Sequence, residues 1–286
     1  MNMIRTFLGT RQYATIIFII TIGFVISLAS PGLLKAADRE DRIAKLEFEL
    51  ERAKAVNEIA NISSKYQYYM WARMHDEQAQ LFALKTPGVK AQLASMGIFE
   101  GASGIQKMHA HMASIEGDGT GVMIVNMLTT PMIVVAGDGK TAKGIWLAPG
   151  ILTNVEGGKA SGSWRWVRYG ADFIKEDGKW KIWHLHAYGW FRTSYDKNWA
   201  EVEEMGGMPP GGEGGRGGPG GPGEGQGGPP PEGGRGGPGG PGGGDDMSAN
   251  RQAIYTWDYS PDVKTENIPV PPEPYETWDD SMSYVQ

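Results

Sequence analysis

Between Ile43 and Ala60 the apolar or small positions fall at Ile43, Leu46, Leu50, Ala53, Asn57 and Ala60. The intervals alternate three and four, which places all six on one stripe of a helix. The spacing predicts an amphipathic helix lying against its own domain. Two and a half heptads also allow a dimeric coiled coil, and the flanking charges are mixed. After Ser63 the pattern turns aromatic, with Tyr66, Tyr68, Tyr69 and Trp71. A second short helix is expected in MHDEQAQLFAL, capped by Asp76, with Leu81 and Phe82 facing in. Thr86, Pro87 and Gly88 end it.

The segment VKAQLASMGIFEG alternates loosely around a turn at Gly97. GASGIQKMHAHMASI returns to helical spacing, with Ile105, Met108 and Met112 on one face. His109 and His111 lie about 200° apart on such a helix and cannot share a metal, so they are expected at the rim. Four strand-like runs follow, 127–135, 141–152, 161–174 and 180–191. AGDGK and KEDGK read as hairpin turns, and TNVEGGKASGS as a longer loop. Helices followed by an antiparallel meander give an α+β class.

The last run, WKIWHLHAYGWFRTSYDKNW, concentrates aromatic rings around His184 and His186. Strict alternation puts Trp180, Ile182, His184, His186, Tyr188 and Trp190 on one face, and Trp183, Leu185, Ala187 and Phe191 on the other. Neither set is polar, so both faces are expected to be covered. His184 and His186 are the candidate catalytic bases, with packed histidines as the alternative. As an i, i+2 pair they could also chelate a metal. No third ligand is evident beyond Asp172 and Glu176, so neither metal nor cofactor is expected. Trp164 and Trp166 are further candidate rings.

The ends of the chain differ from its middle. A short basic region precedes ATIIFIITIGFVISLAS, which carries no charge from Ala14 to Ser30. Residues 1–37 therefore read as a signal peptide or signal anchor. The domain is expected outside the cytoplasm, touching a membrane only through that segment. Residues 38–205 form the domain. Residues 206–244 are nearly all glycine and proline, a flexible linker without collagen periodicity. Residues 245–286 form an acidic tail with six large rings, Tyr255, Trp257, Tyr259, Tyr275, Trp278 and Tyr284, expected to dock on the domain. The formal charge of -6 comes largely from this tail. No basic face remains to suggest a nucleic-acid partner. The absence of cysteine excludes disulfide scaffolds and thiolate chemistry.

The ordered set LEFELERAKAVNEIANISSKYQYY, HDEQAQLFA, FEGASGIQKM and FIKEDGKWKIWHL resembles the SnoaL-like family of the nuclear transport factor 2-like superfamily. The resemblance implies a cone-shaped, strongly curved sheet with helices over its concave side. It also implies a pocket for a small apolar molecule, aromatic or polycyclic. Tyr66, Trp146 and Tyr169 would stand in its wall. Members include lyases and isomerases that abstract a proton, and others that only bind or assemble; a homodimer is expected. The Asp and His of the usual dyad correspond to Met74 and Met127, which leaves both as pocket residues without that chemistry. A one-residue slip would offer His75 or Asp76, both expected at the surface.

Overall fold

The computed structural model describes residues 30–200 and 248–286, apart from 255–258, 260 and 263. The expected signal segment, apart from residues 30–37 of the first helix, and the 206–244 linker lie outside these residues. Among the described residues no helix is long and apolar enough to cross a membrane. The chain divides into two units, Met1–Lys54 and Ala55–Gln286. The described part of the first is the N-terminal portion of a long helix, α1 (Ser30–Trp71).

In the second unit, α1 continues through Trp71 and buries Ala55, Ile59, Ser63, Tyr66, Gln67 and Met70. These positions recur every three or four residues and make one stripe. The stripe is not the expected one. Ile43, Leu46 and Leu50 are 44%, 67% and 54% exposed, and Ala53 and Asn57 are exposed too. Two different faces of α1 are thus apolar.

The short α2 (His75–Ala79) starts after Met74, which makes no side-chain cap. Asp76 sits in the first turn instead of at the cap, where its charge still favours the helix N-terminus. Strands β1 (Lys90–Leu93) and β2 (Ile98–Glu100) flank Gly97. Helix α3 follows (Gly101–Glu116). Then come β3 (Met123–Asn126), β4 (Thr129–Val135), β5 (Thr141–Glu156), β6 (Lys159–Glu176) and β7 (Lys179–Ser194). Strand β3 was not anticipated. The loop expected between β5 and β6 is a tight hairpin, because Gly157 and Gly158 both take positive φ and Glu156 pairs with Lys159.

The seven strands form one curved, unclosed sheet in the order β2-β1-β7-β6-β5-β3, with β4 also on β5. It is mixed, since β1 pairs in parallel with β7. The antiparallel expectation held for the meander and missed this strand. β1 precedes the whole meander in sequence and reaches β7 from the far side.

Two bulges in β7 decide which side chains face where. Phe173 pairs with Ile182 but Asp172 with His184, so Trp183 is an extra residue. Trp166 pairs with Phe191 but Val167 with Gly189, so Trp190 is another. Each extra residue reverses the alternation. Trp180 and Ile182 therefore join Leu185 and Ala187 in the core, under the helices. His184, His186 and Tyr188 turn to the other, outer face. The single-phase assignment of these residues is corrected accordingly.

Candidate functional site

The inner face of the sheet carries the core. Trp146 and Ala148 of β5 and Val167, Tyr169, Ala171 and Phe173 of β6 meet Tyr66 and Met70 of α1 and Ile105 and Met108 of α3. Within this apolar wall lies a small polar group. Arg165 Nε donates to Asn126 Oδ1 at 2.9 Å. Asn126 Nδ2 points to the Tyr169 hydroxyl at 3.5 Å and Met70 Sδ at 3.6 Å. Asn126, Gly150, Arg165 and Arg192 occupy one row across β3, β5, β6 and β7. Gly150 makes the row possible: a Cβ there would stand 2.5 Å from the Val125 carbonyl oxygen and 2.6 Å from Asn126 Oδ1.

The electrostatics of the row are one-sided. Arg165 and Arg192 are half-buried register partners, and burial pulls both guanidiniums below their usual pKa. They stay charged nonetheless. Among the described residues neither forms an ion pair with a carboxylate. Burial pushes the Tyr66 and Tyr169 hydroxyls up, so both keep their protons and can donate. The Tyr66 hydroxyl and Gln67 Oε1 are buried with no partner among the described residues. The face therefore offers positive charge and free hydrogen-bonding groups beside an aromatic wall.

A second buried group lies between α2 and the end of α3. His75 Nε2 is 3.2 Å from Glu116 Oε2, and Arg73 Nε reaches the same oxygen at 3.4 Å. His75 is buried, contrary to the expected surface position, while Asp76 is exposed. His109 is also buried and not at the rim. Its Nδ1 donates to the Ile105 carbonyl at 2.8 Å, which leaves Nε2 without a partner among the described residues. Its ring stands edge-on to Tyr66 and Phe82. Burial lowers its pKa to about 4, so the ring is neutral near pH 7.

His184 and His186 sit on the outer face, beneath the C-terminal segment. His184 Nδ1 is 2.9 Å from Asp172 Oδ2, and its Nε2 is 3.1 Å from the Gly88 carbonyl. Lys143 Nζ donates to Asp172 Oδ1 at 2.6 Å and also to the Met282 carbonyl. The Tyr284 N–H donates to Asp172 Oδ2 at 3.0 Å. The Tyr284 carbonyl accepts from His186 Nδ1 at 3.0 Å and from the Tyr188 hydroxyl at 2.7 Å. The Tyr284 ring lies over Gly170, where a Cβ would stand 2.8 Å away. Burial lowers the His186 pKa to about 4. These contacts tie the two histidines to the chain's own tail and leave them on the opposite side of the sheet from Tyr66, Trp146 and Tyr169.

Met74 and Met127 are exposed, at 36% and 50%. The inner polar group of Gln67, Asn126, Arg165 and Arg192 was not singled out from the sequence. One signal for it was present. Arg165 shares the phase of Val167, Tyr169, Ala171 and Phe173, so a charge stands in an otherwise apolar row.

Residues 51–186 match the family model of the SnoaL-like domain. The chain is similar to a putative scytalone dehydratase of Novosphingobium aromaticivorans, with 16% identity over 55% of this chain and 96% of that one, at a TM-score of 0.43. It is also similar to a type-3 hexachlorocyclohexane dehydrochlorinase of Novosphingobium barchaimii, with 15% identity, 52% and 94% coverage and a TM-score of 0.43. A third is an NTF2-like protein with a cystatin-like fold from N. aromaticivorans, with 14% identity, 52% and 87% coverage and a TM-score of 0.38. A comparison with curated proteins returned no match. At such identities the structural likeness concerns the fold alone. Residues 51–186 of this chain thus form a SnoaL-like domain.

Proposed function

We propose that the inner face binds a small, largely apolar molecule, aromatic or polycyclic, that carries an anionic oxygen group such as a carboxylate. The observation behind this is the row Asn126–Arg165–Arg192, whose guanidiniums meet no carboxylate among the described residues. Like charges facing each other across strands are unfavourable, and an anion relieves them. Arg suits this role because its planar fork matches a carboxylate. Tyr66 and Tyr169 supply two further donors, and Trp146 and Val167 the apolar contact.

The test is a tryptophan-fluorescence titration with 1-naphthoate and its methyl ester. The acid is expected to bind at least about tenfold more tightly than the ester. Arg165→Gln should remove that difference and spare ester binding. Equal affinity of the unaltered protein for acid and ester would reject the anionic group, and failure of both to bind would reject an open inner face.

A lyase or isomerase reading is favoured by one observation, the Nε2 of His109, which has no partner among the described residues and stands beside the Tyr66 ring. In that reading His109 takes the proton and Tyr66 holds the developing oxyanion. Deuterium exchange next to the carbonyl of 2-tetralone, followed by NMR, separates turnover from binding. His109→Gln should then slow exchange by about 10²-fold, and His186→Gln should not. No exchange above buffer leaves the domain a noncatalytic binding module.

The domain acts outside the cytoplasm in this proposal, exported by residues 1–37. Fractionation of cells expressing the full chain should place it in the medium, the periplasm or the membrane. Soluble, uncleaved protein in the cytoplasm would overturn export.

A further inference from the structure

We propose that residues 43–60 of α1 form a parallel two-stranded coiled coil with the same segment of a second copy of this chain. Ile43, Leu50 and Asn57 occupy the a positions, and Leu46, Ala53 and Ala60 the d positions. Among the described residues Ile43, Leu46, Leu50, Ala53 and Asn57 are exposed, with Leu46 the most exposed of the leucines and isoleucines. The contacts of α1 with its own domain run along a different face. They use Ala55, Ile59 and Ile62, each two residues beyond a seam residue and therefore about 200° around the helix. One helix thus carries two apolar stripes, nearly opposite each other, and the seam residues from Ile43 to Asn57 are exposed among the described residues.

The charges beside the seam select the occupant. In a parallel dimer each g residue faces the e residue five positions later on the partner helix. Arg42 at g then meets Glu47 of the second copy, and Glu49 at g meets its Lys54. Both pairs are opposite in sign. Within one helix Glu49 pairs with Arg52 at 3.4 Å and Lys54 with Glu51 at 2.8 Å. These are exposed pairs of little strength and can be rearranged or shared. Asn57 at an a position is the residue type that fixes register and favours two strands. A membrane surface is a poorer occupant, because it calls for a basic polar face and this one alternates in sign. The seam spans roughly 27 Å of helix, which is short for an isolated coiled coil. Here the same helix runs on into the packed stripe of the domain, so it need not be nucleated afresh on association.

The natural chain has no cysteine, so single cysteines report cleanly. Leu46→Cys and Ala53→Cys, each in the full chain, are oxidised in intact cells and run on a non-reducing gel. A band at twice the 31.1 kDa monomer is expected for both. Glu51→Cys and Lys45→Cys, which point away from the seam, should give at least about fivefold less. Leu50→Glu added to Ala53→Cys should abolish the band, and since Leu50 is exposed the fold is expected to survive. Glu49→Lys should weaken cross-linking, and adding Lys54→Glu should restore it. An absent band for Leu46→Cys and Ala53→Cys, or one equalled by Glu51→Cys, would overturn the proposal. An antiparallel pairing would be recognised by cross-linking near the middle of the segment and not at Leu46.

Discussion

Asp172→Ala is expected to destabilise the protein by about 3–5 kcal/mol, the range for removing one member of a buried ionic group. The carboxylate is fully buried and accepts from Lys143, His184 and the Tyr284 backbone. Its loss leaves the Lys143 ammonium at 7% exposure, with only carbonyl and ring partners such as Tyr284 among the described residues. For a domain of this size the melting temperature should fall by roughly 2–4 °C per kcal/mol. Proteolysis should also begin within the segment around Tyr284, because the contact that anchors its backbone is gone. A loss below about 1 kcal/mol would mean that the cluster is a weak surface group, contrary to its burial.

The second large effect is expected at Gly150. Gly150→Ala places a methyl group 2.5 Å from a backbone oxygen, which no side-chain rotation can relieve. The strand must shift, at about 1–3 kcal/mol. The shift falls on the bond between Asn126 and Arg165, so affinity for an aromatic carboxylate should drop about tenfold or more while the ester is less affected. Calorimetric titration of the two ligands measures both. Unchanged acid binding would separate Gly150 from the ligand and leave it a packing residue.

The helices, the hairpin order and the α+β class were legible from periodicity because each depends on local pattern. What failed depended on register or on distant contacts. Trp183 and Trp190 look like ordinary strand residues, and nothing nearby announces that each is a bulge. Reading through them placed Trp180 and Ile182 beside His184, although the sheet separates them. The seam from Ile43 to Ala60 was legible, but a three-four alternation says that a face is apolar without saying what covers it. The truly packed stripe includes Ser63 and Gln67, whose polarity hid it. His75 and His109 were expected outside for the same reason: a single histidine on a helix carries no sign of the Glu116 or Ile105 that meets it. Arg165 was visible in the sequence, but its significance lies in the Asn126 and Arg192 that the sheet brings alongside.

The C-terminal segment has a consequence for the order in which the chain acquires its structure. Ile98 pairs with Arg251, and Tyr284 bonds to Asp172 from 112 positions away. Such contacts close very long loops, and the Tyr284 contact can form only when β6 and β7 already present the surface that receives it. A chain made from its N-terminus therefore completes its sheet while the outer face, with Asp172, Lys143, His184 and His186, is still open to water. The tail is the last piece to arrive. A chain lacking residues 282–285 is therefore expected to keep Asp172 and Lys143 hydrated, since the contacts that Tyr284 and Met282 make with them would be missing.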